Sequence, residues 1–369
     1  MSRHPRVLVS GYYGFGNAGD EAILAGLIAG FRQTHPEVKL VVLSGSPDAT
    51  HAEHGVAAVP RGPAAAYRHA RQCDLLISGG GGLLQDVTSW RSPLYYLGVI
   101  GAARAAGKPV ACIGQGIGPL RRRLVRVAVR QALAGVDLLA VRDAHSSGAL
   151  QALGLARSVE VTADLAFLMP APSPEEISEA QKRAGLPSRA EPLAAISLRA
   201  APRAKPQELA RNLGETLDHA CDQIGLHPVL IPMQRPDDLE FAGRVAANMP
   251  SNPHVTSADL SARELLALVC GCNLVVAMRL HALIFAALGA VPPVAVSYDP
   301  KVNALMGQLG LDTATSTQRF EPDALAEAVR TCWQARAEVS YHLRARLPKL
   351  RAAAARNVEL ASSLLRAGS

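Results

Sequence analysis

Two cationic side chains two residues apart carry the sharpest chemical signal in this sequence. Arg279 and His281 stand in Met278-Arg-Leu-His-Ala282, where an apolar run, Leu274 to Ala277, gives way to a helical pattern, Leu280 to Leu288. At such a junction both side chains can face an anion held on the N–H groups of the helix N-terminus. One helix and one strand later, Ser297-Tyr-Asp-Pro-Lys301 follows another apolar run. Strand ends separated by one crossover are neighbours in a parallel sheet. Arg279, His281 and Lys301 are therefore expected to form one cationic pocket. Two more arginines end apolar runs, Arg142 after Leu138 to Val141 and Arg199 after Leu193 to Leu198. A guanidinium there can grip a carboxylate or phosphate with its planar fork. For Arg142 the competing reading is an ion pair with Asp143 or Asp164. For Arg199 it is a place in a basic surface loop.

Three glycine-rich stretches also follow apolar runs. The first is Gly11-Tyr-Tyr-Gly14-Phe-Gly16-Asn17-Ala-Gly19-Asp20-Glu21. Gly14 to Gly19 matches G-x-G-x-x-G in form, but a dinucleotide fingerprint starts directly at the strand end and needs an acidic residue after the second strand. Here the loop is too long, and the second strand ends in Leu43-Ser44-Gly45. What remains is close backbone approach to a ligand at a helix N-terminus. Gly16 and Asn17 are candidate contacts, and Asp20 is an acid/base candidate at the mouth of the site. Glu21 reads better as a complement to the helix dipole. The second stretch is Gly79-Gly80-Gly81-Gly82-Leu-Leu-Gln-Asp86, and the third is Gly114-Gln115-Gly116-Ile-Gly-Pro119. Gly80, Gly81 and Gln115 are the candidate ligand contacts among them.

The elements that must position these residues alternate along the chain. Strands are expected at Arg6 to Ser10, Val38 to Leu43, Asp74 to Ser78, Pro109 to Ile113, Leu138 to Val141 and Val159 to Thr162, with helices at Asp20 to Thr34, Leu94 to Ala106, Arg122 to Ala134 and Ala144 to Leu153. Nearly all-apolar strands in that rhythm imply a parallel sheet covered on both faces. A proline-rich hinge, Met169 to Pro174, followed by a polar helix expected at Glu175 to Ala184, interrupts the rhythm, which restarts at Leu193. The expected organisation is α/β: two Rossmann-like domains, 1–170 and 193–340, a linker over 171–192, and a C-terminal helix over 341–369. Ligands then bind at strand carboxyl ends in a cleft between the domains.

Composition narrows the function. With 369 residues and 49% hydrophobic content the chain can bury two cores. Aromatics at 4% disfavour a stacking-based single-strand nucleic-acid binder. The six cysteines form no C-x-x-C or zinc spacing, so no metal is expected. No apolar leader or spanning segment stands out, which fits a cytoplasmic enzyme. The formal charge of +7 suits an anionic substrate or an anionic membrane surface. Two basic runs, Arg121 to Arg130 and Arg344 to Arg356, exceed what a small substrate needs. At least one of them is expected to touch the inner membrane face.

Taken together, these segments resemble the polysaccharide pyruvyltransferase family, in particular its CsaB type. The carriers are Gly11 to Leu24, Gly79 to Asp86, Gly114 to Pro119, Val141-Arg-Asp143, Met278 to Ala282 and Tyr298 to Lys301. The resemblance implies a fold similar to GT-B glycosyltransferases. It implies transfer of a pyruvyl unit from phosphoenolpyruvate onto a sugar as a ketal, with no cofactor. In CsaB-type enzymes the acceptor resembles β-N-acetylmannosamine on a lipid-linked precursor of a secondary cell-wall polymer, which anchors S-layer proteins. By the same resemblance Arg142, Arg279, His281 and Lys301 bind the donor, and Asp20 is the acid/base candidate. Either His281 or Asp20 would protonate the donor. The rival readings are a GT-B glycosyltransferase using a nucleotide sugar and a basic nucleic-acid scaffold. The second leaves the glycine stretches unexplained.

Overall fold

The short apolar runs become strands and the amphipathic stretches between them become covering helices. The computed structural model describes residues 4–87, 89–186, 191–201 and 204–367. The chain divides into two compact units, Met1–Pro170 with Lys349–Ser369, and Ala171–Pro348.

In the first unit the strands are β1 (Arg6–Tyr13), β2 (Lys39–Ser44), β3 (Ala57–Pro60), β4 (Leu75–Ser78), β5 (Gly81–Leu84), β6 (Val110–Ile117), β7 (Leu138–Val141) and β8 (Glu160–Val161). All pair in parallel in the order β3-β2-β1-β4-β6-β7-β8, with β5 beside β6. The covering helices are α1 (Ala18–Thr34), α2 (Pro47–His54), α3 (Pro63–Gln72), α4 (Arg91–Ala105), α5 (Arg123–Ala134) and α6 (Ala144–Ala152). The order in which the chain adds strands to the sheet reverses between β1 and β4. Their carboxyl ends open into the first two glycine stretches, as a switch-point site requires.

In the second unit the strands are β9 (Leu193–Ser197), β10 (His227–Leu230), β11 (His254–Val255), β12 (Leu274–Ala277), β13 (Pro293–Ser297) and β14 (Thr315–Ser316). Their order is β11-β10-β9-β12-β13-β14, again parallel, with the reversal between β9 and β12. The helices are α7 (Pro174–Arg183), α8 (Pro206–Gln223), α9 (Asp237–Ala246), α10 (Ala262–Cys270), α11 (Leu280–Leu288), α12 (Pro300–Leu309) and α13 (Pro322–Gln334). A last helix, α14 (Arg336–Ala367), carries Pro348 inside it. Its residues from Lys349 on group with the first unit.

Some local expectations change. Residues 114–117 of the third glycine stretch are buried strand, the continuation of β6. Their glycines make room inside the sheet instead of opening a loop. The segment 45–73, where hydrophobic periodicity predicts no element, folds as α2, β3 and α3. The available signals were punctuation: Pro47 and Pro63 in first turns and Gly55 in the left-handed conformation after α2. The polar helix expected at Glu175 to Ala184 within the linker does form, as α7 over 174–183, with a capping box between Ser173 and Glu176 at its start and α10 packed against it. Residues 187–190 of that linker lie outside the described residues. Among the described residues no helix is long and apolar enough to cross a membrane.

Candidate active site

In the second unit three strand ends lie side by side, because Ala277 on β12 pairs with Ser197 on β9 and with Ala295 on β13. The segments that leave them carry Arg199, Arg279 and Tyr298. α11 and α12 begin at this edge, so two helix N-termini present their first-turn N–H groups there. Arg279 is the residue that caps α11. Its Nε donates to Asp238 Oδ2 at 2.8 Å, and Nη2 donates to Asp238 Oδ1 and, at 3.2 Å, to Gln234 Oε1. Asp238 is buried and also accepts the backbone N–H groups of Met233 and Gln234. The guanidinium is thus aimed by a fixed carboxylate. His281 lies half-buried in the first turn of α11. Lys301 lies in the first turn of α12, its backbone N–H taken by the capping Asp299.

Tyr298 is the hub of this group. The Arg199 guanidinium lies 5.0 Å and the Lys301 ammonium 5.2 Å from its ring centroid. Burial pushes its phenol up, but Lys301, Arg199 and Arg279 outweigh it, and the pKa falls below the ordinary 10.0. The structure brings Arg279 and Lys301 to one cluster as expected, with His281 at the same helix start as Arg279. It sets Arg199 beside them, over the ring of Tyr298, and adds Tyr298 itself. Tyr298 was visible in the Tyr298-Asp-Pro-Lys301 motif, but an aromatic after an apolar strand reads as core. Asp238 had no sequence signal, since it sits in an ordinary acidic first turn of α9.

In the first unit Arg142 is buried and forms the ion pair of the competing reading. Its Nη1 donates to Asp164 Oδ2 at 3.0 Å, and Nε lies 3.4 Å from Asp143 Oδ2. Burial opposes its charge, yet Asp164 and Asp143 more than offset that and raise its pKa. Gln115 is fully buried and donates through Nε2 to the carbonyls of Ser78 and Gly79, at 2.9 and 2.6 Å. It ties β6 to the end of β4. Gly80 stacks on the Gly114 carbonyl; a Cβ there would meet that oxygen at 2.8 Å. Gly81 has φ +97°, and Asp20 Oδ1 lies 2.9 Å from where its Cβ would be. The carboxylate of Asp20 therefore rests over Gly81. Asn17 caps α1 by accepting the Gly19 N–H at 3.0 Å, and Gly16 is exposed with a left-handed φ of +67°.

Aromatic side chains gather at this same edge. Tyr12 stacks on Phe15 at 4.5 Å, and Phe15 is 39% exposed. Arg61 lies over Phe15, Tyr95 and Tyr96, at 4.9, 4.2 and 5.5 Å from their ring centroids. The hydroxyls of Tyr13 and Tyr96 are buried without a hydrogen-bond partner among the described residues. Burial, reinforced by the charge of Asp20, pushes the Tyr13 phenol up; burial does the same at Tyr96, where Asp20 adds to it and Arg61 opposes it. Glu21 does more than complement a dipole. Its Oε1 accepts the Gly14 N–H at 2.7 Å and its Oε2 lies 3.1 Å from His54 Nε2. Among the described residues Glu21, Glu53 and His54 form the one group with metal-ligand atoms in mutual reach. Its hydrogen bonds make it a brace for the glycine-rich turn.

The comparisons agree with this architecture. The sequence model of a family described as polysaccharide pyruvyl transferase matches residues 17–300. No curated protein matches. Among solved structures, a glycosyltransferase from Rickettsia africae superposes with a TM-score of 0.65 at 11% identity, covering 99% of this chain and 100% of that one. The MnaA–UDP co-structure from S. aureus gives 0.64 at 12% identity, covering 96% and 95%. The UDP-GlcNAc 2-epimerase from Neisseria meningitidis, bound to UDP-GlcNAc, gives 0.63 at 10%, covering 96% and 99%. At such identities the likeness bears on the fold, which is that of GT-B glycosyltransferases and epimerases. The family match spans most of the chain, from Asn17 at the end of the first glycine stretch through the second stretch and Arg279 to His281, so the protein belongs to the polysaccharide pyruvyl transferase family of transferases.

Proposed function

We propose that this enzyme takes its pyruvyl unit from phosphoenolpyruvate and sets it on a sugar as a cyclic ketal. The proposed acceptor is that of the CsaB type, β-N-acetylmannosamine on a lipid-linked cell-wall polymer precursor. The observation that carries the reading is the cationic cluster of Arg199, Arg279 and Lys301 around Tyr298, beside His281 and two helix N-termini. Phosphoenolpyruvate carries a phosphate and a carboxylate on three carbons, and a dense anion of that kind suits three cations and two helix dipoles. Arg142 belongs to the proposed donor site by family resemblance, with its direction set by Asp143 and Asp164.

In this reading His281 gives a proton to the methylene carbon, leaving an oxocarbenium-like centre. A sugar hydroxyl adds to that centre and loses its proton to Asp20. Phosphate departs with the C–O electron pair, stabilised by the cations. A second hydroxyl of the same sugar closes the ketal and releases the second proton. Support for the acceptor on the Asp20 side comes from the aromatic group there, Tyr12 stacked on the partly exposed Phe15, since sugars pack their C–H groups against aromatic rings. The decisive experiment mixes the purified protein, phosphoenolpyruvate and a β-N-acetylmannosamine-capped acceptor. Phosphate release that depends on acceptor, with a mass gain of one pyruvyl ketal, is the expected result. Turnover of a nucleotide sugar without phosphoenolpyruvate would overturn it.

A further inference from the structure

One stretch of the first unit holds the whole positive excess of the protein. From Val87 to Val136 the sequence has eight Lys and Arg and no Asp or Glu. The formal charge of the chain is +7, so the remainder is slightly acidic. This stretch comprises the loop after β5, helix α4, strand β6 and helix α5, and α4 packs on α5. Arg91, Arg121, Arg122, Arg123, Arg126 and Arg130 are exposed on it.

Apolar side chains stand uncovered among those arginines. Leu124 is 84% exposed, Val127 47%, Trp90 44% and Leu94 38%. They are not a misplaced core, because α5 already buries Val125, Val129 and Leu133 on its other face. The buried carboxylate of Asp86 accepts the backbone N–H groups of Arg121 and Arg122, both at 2.7 Å. That joins the turn carrying Leu124 to the loop carrying Trp90. Leu84 and Ile117 pair at the ends of β5 and β6, so both segments leave the carboxyl edge of the sheet, the edge that also carries Asp20 and the glycine stretches.

We propose that this surface docks the enzyme on an anionic lipid bilayer. Leu124, Val127 and Trp90 enter the headgroup layer, and the arginines around them bind lipid phosphates. The charge pattern selects the occupant: cations without any acid match an anionic sheet, and an exposed leucine at a helix start gains nothing from a nucleic acid. The second basic run is set apart. Arg346 and Arg351 donate to the carbonyls of Gln308 and Met169, and Arg356 pairs with Glu359. The inference deepens the proposed function, since a lipid-linked acceptor lies at such a surface.

Flotation of the full chain with vesicles tests it without catalysis. Wild type is expected to float with phosphatidylglycerol–phosphatidylcholine vesicles and not with phosphatidylcholine alone. Each of Arg122→Gln, Arg123→Gln and Arg126→Gln should lower partition about fivefold. Leu124→Gln, with charge unchanged, should lower it about tenfold. Thermal melting of each variant guards against misfolding, and turnover of a water-soluble acceptor should match wild type. Absent flotation overturns the proposal, as does equal flotation of wild type and all variants. A loss with the arginine variants but none with Leu124→Gln also overturns it, in favour of adsorption to any polyanion. If no variant or wild type transfers pyruvyl units while flotation behaves as stated, the function reading fails and the docking surface stands.

Discussion

A phenol set among three cations gives up its proton more readily than one in water. At Tyr298 burial works against this, and Lys301, Arg199 and Arg279 prevail, so the group ionises below pH 10.0. The phenolate then cancels part of the positive charge proposed to hold the donor. Wild-type KM for phosphoenolpyruvate should therefore climb on the alkaline side before the ordinary tyrosine range, and Tyr298→Phe should lose that climb. An unchanged alkaline limb in Tyr298→Phe would remove the phenol from donor binding. The two acid/base assignments make a separate prediction: His281→Gln and Asp20→Asn fold normally and lose about 10²–10⁴-fold in kcat. Wild-type turnover by either variant dismisses that residue. Arg279, His281 and Lys301 were legible because their position after apolar strands has meaning in a parallel sheet. Tyr298 was not, since Lys301 alone of its three cations is near it in sequence, and Arg199 and Arg279 come from other strand ends.

Glycine-rich segments read alike in sequence and differ in structure. The stretch at Gly114 is inside β6, where Gly114 faces Gly80 and Gly116 lies under the Arg142 guanidinium. Gly80 is there because two backbones meet. Gly80→Ala would drive a Cβ to 2.8 Å from the Gly114 carbonyl, whereas at Gly82 nothing lies within 4 Å. Gly80→Ala should cost about 1–3 kcal/mol, and Gly82→Ala should stay within about 0.5 kcal/mol of wild type. Denaturant melts of the pair check this, and equal stabilities would show that the β4–β6 approach is not tight. Strand–helix alternation was legible because burial on both faces leaves continuous apolar runs. The polar helix α2 and the short strand β3 carry no such runs, and only Pro47, Gly55 and Pro63 mark them.

At the scale of the molecule, chain order and fold order part company at the C-terminus. The last helix reads as an appendix at 341–369, yet Lys349–Ser369 is part of the first unit. One tie is a fully buried side chain. Asn357 Oδ1 accepts the Gly114 N–H and the Thr162 hydroxyl, each at 2.9 Å, and its Nδ2 donates to the carbonyls of Ala163 and Ala354. Both the oxygen and the nitrogen of the amide are used, and its buried partners lose those bonds if it goes. No sequence pattern reveals a bond between residues 243 apart. Asn357→Ala should therefore destabilise the first unit by about 1–3 kcal/mol for each buried group left unsatisfied. Removing 349–369 should go further, because Ala354, Val358 and Ala361 are buried with it. A chain ending at Pro348 is then expected to expose its first unit to limited proteolysis, with protection returning when 349–369 is supplied as a separate peptide. A truncated chain as resistant as the full one would mean that the N-terminal sheet is complete without its C-terminal helix.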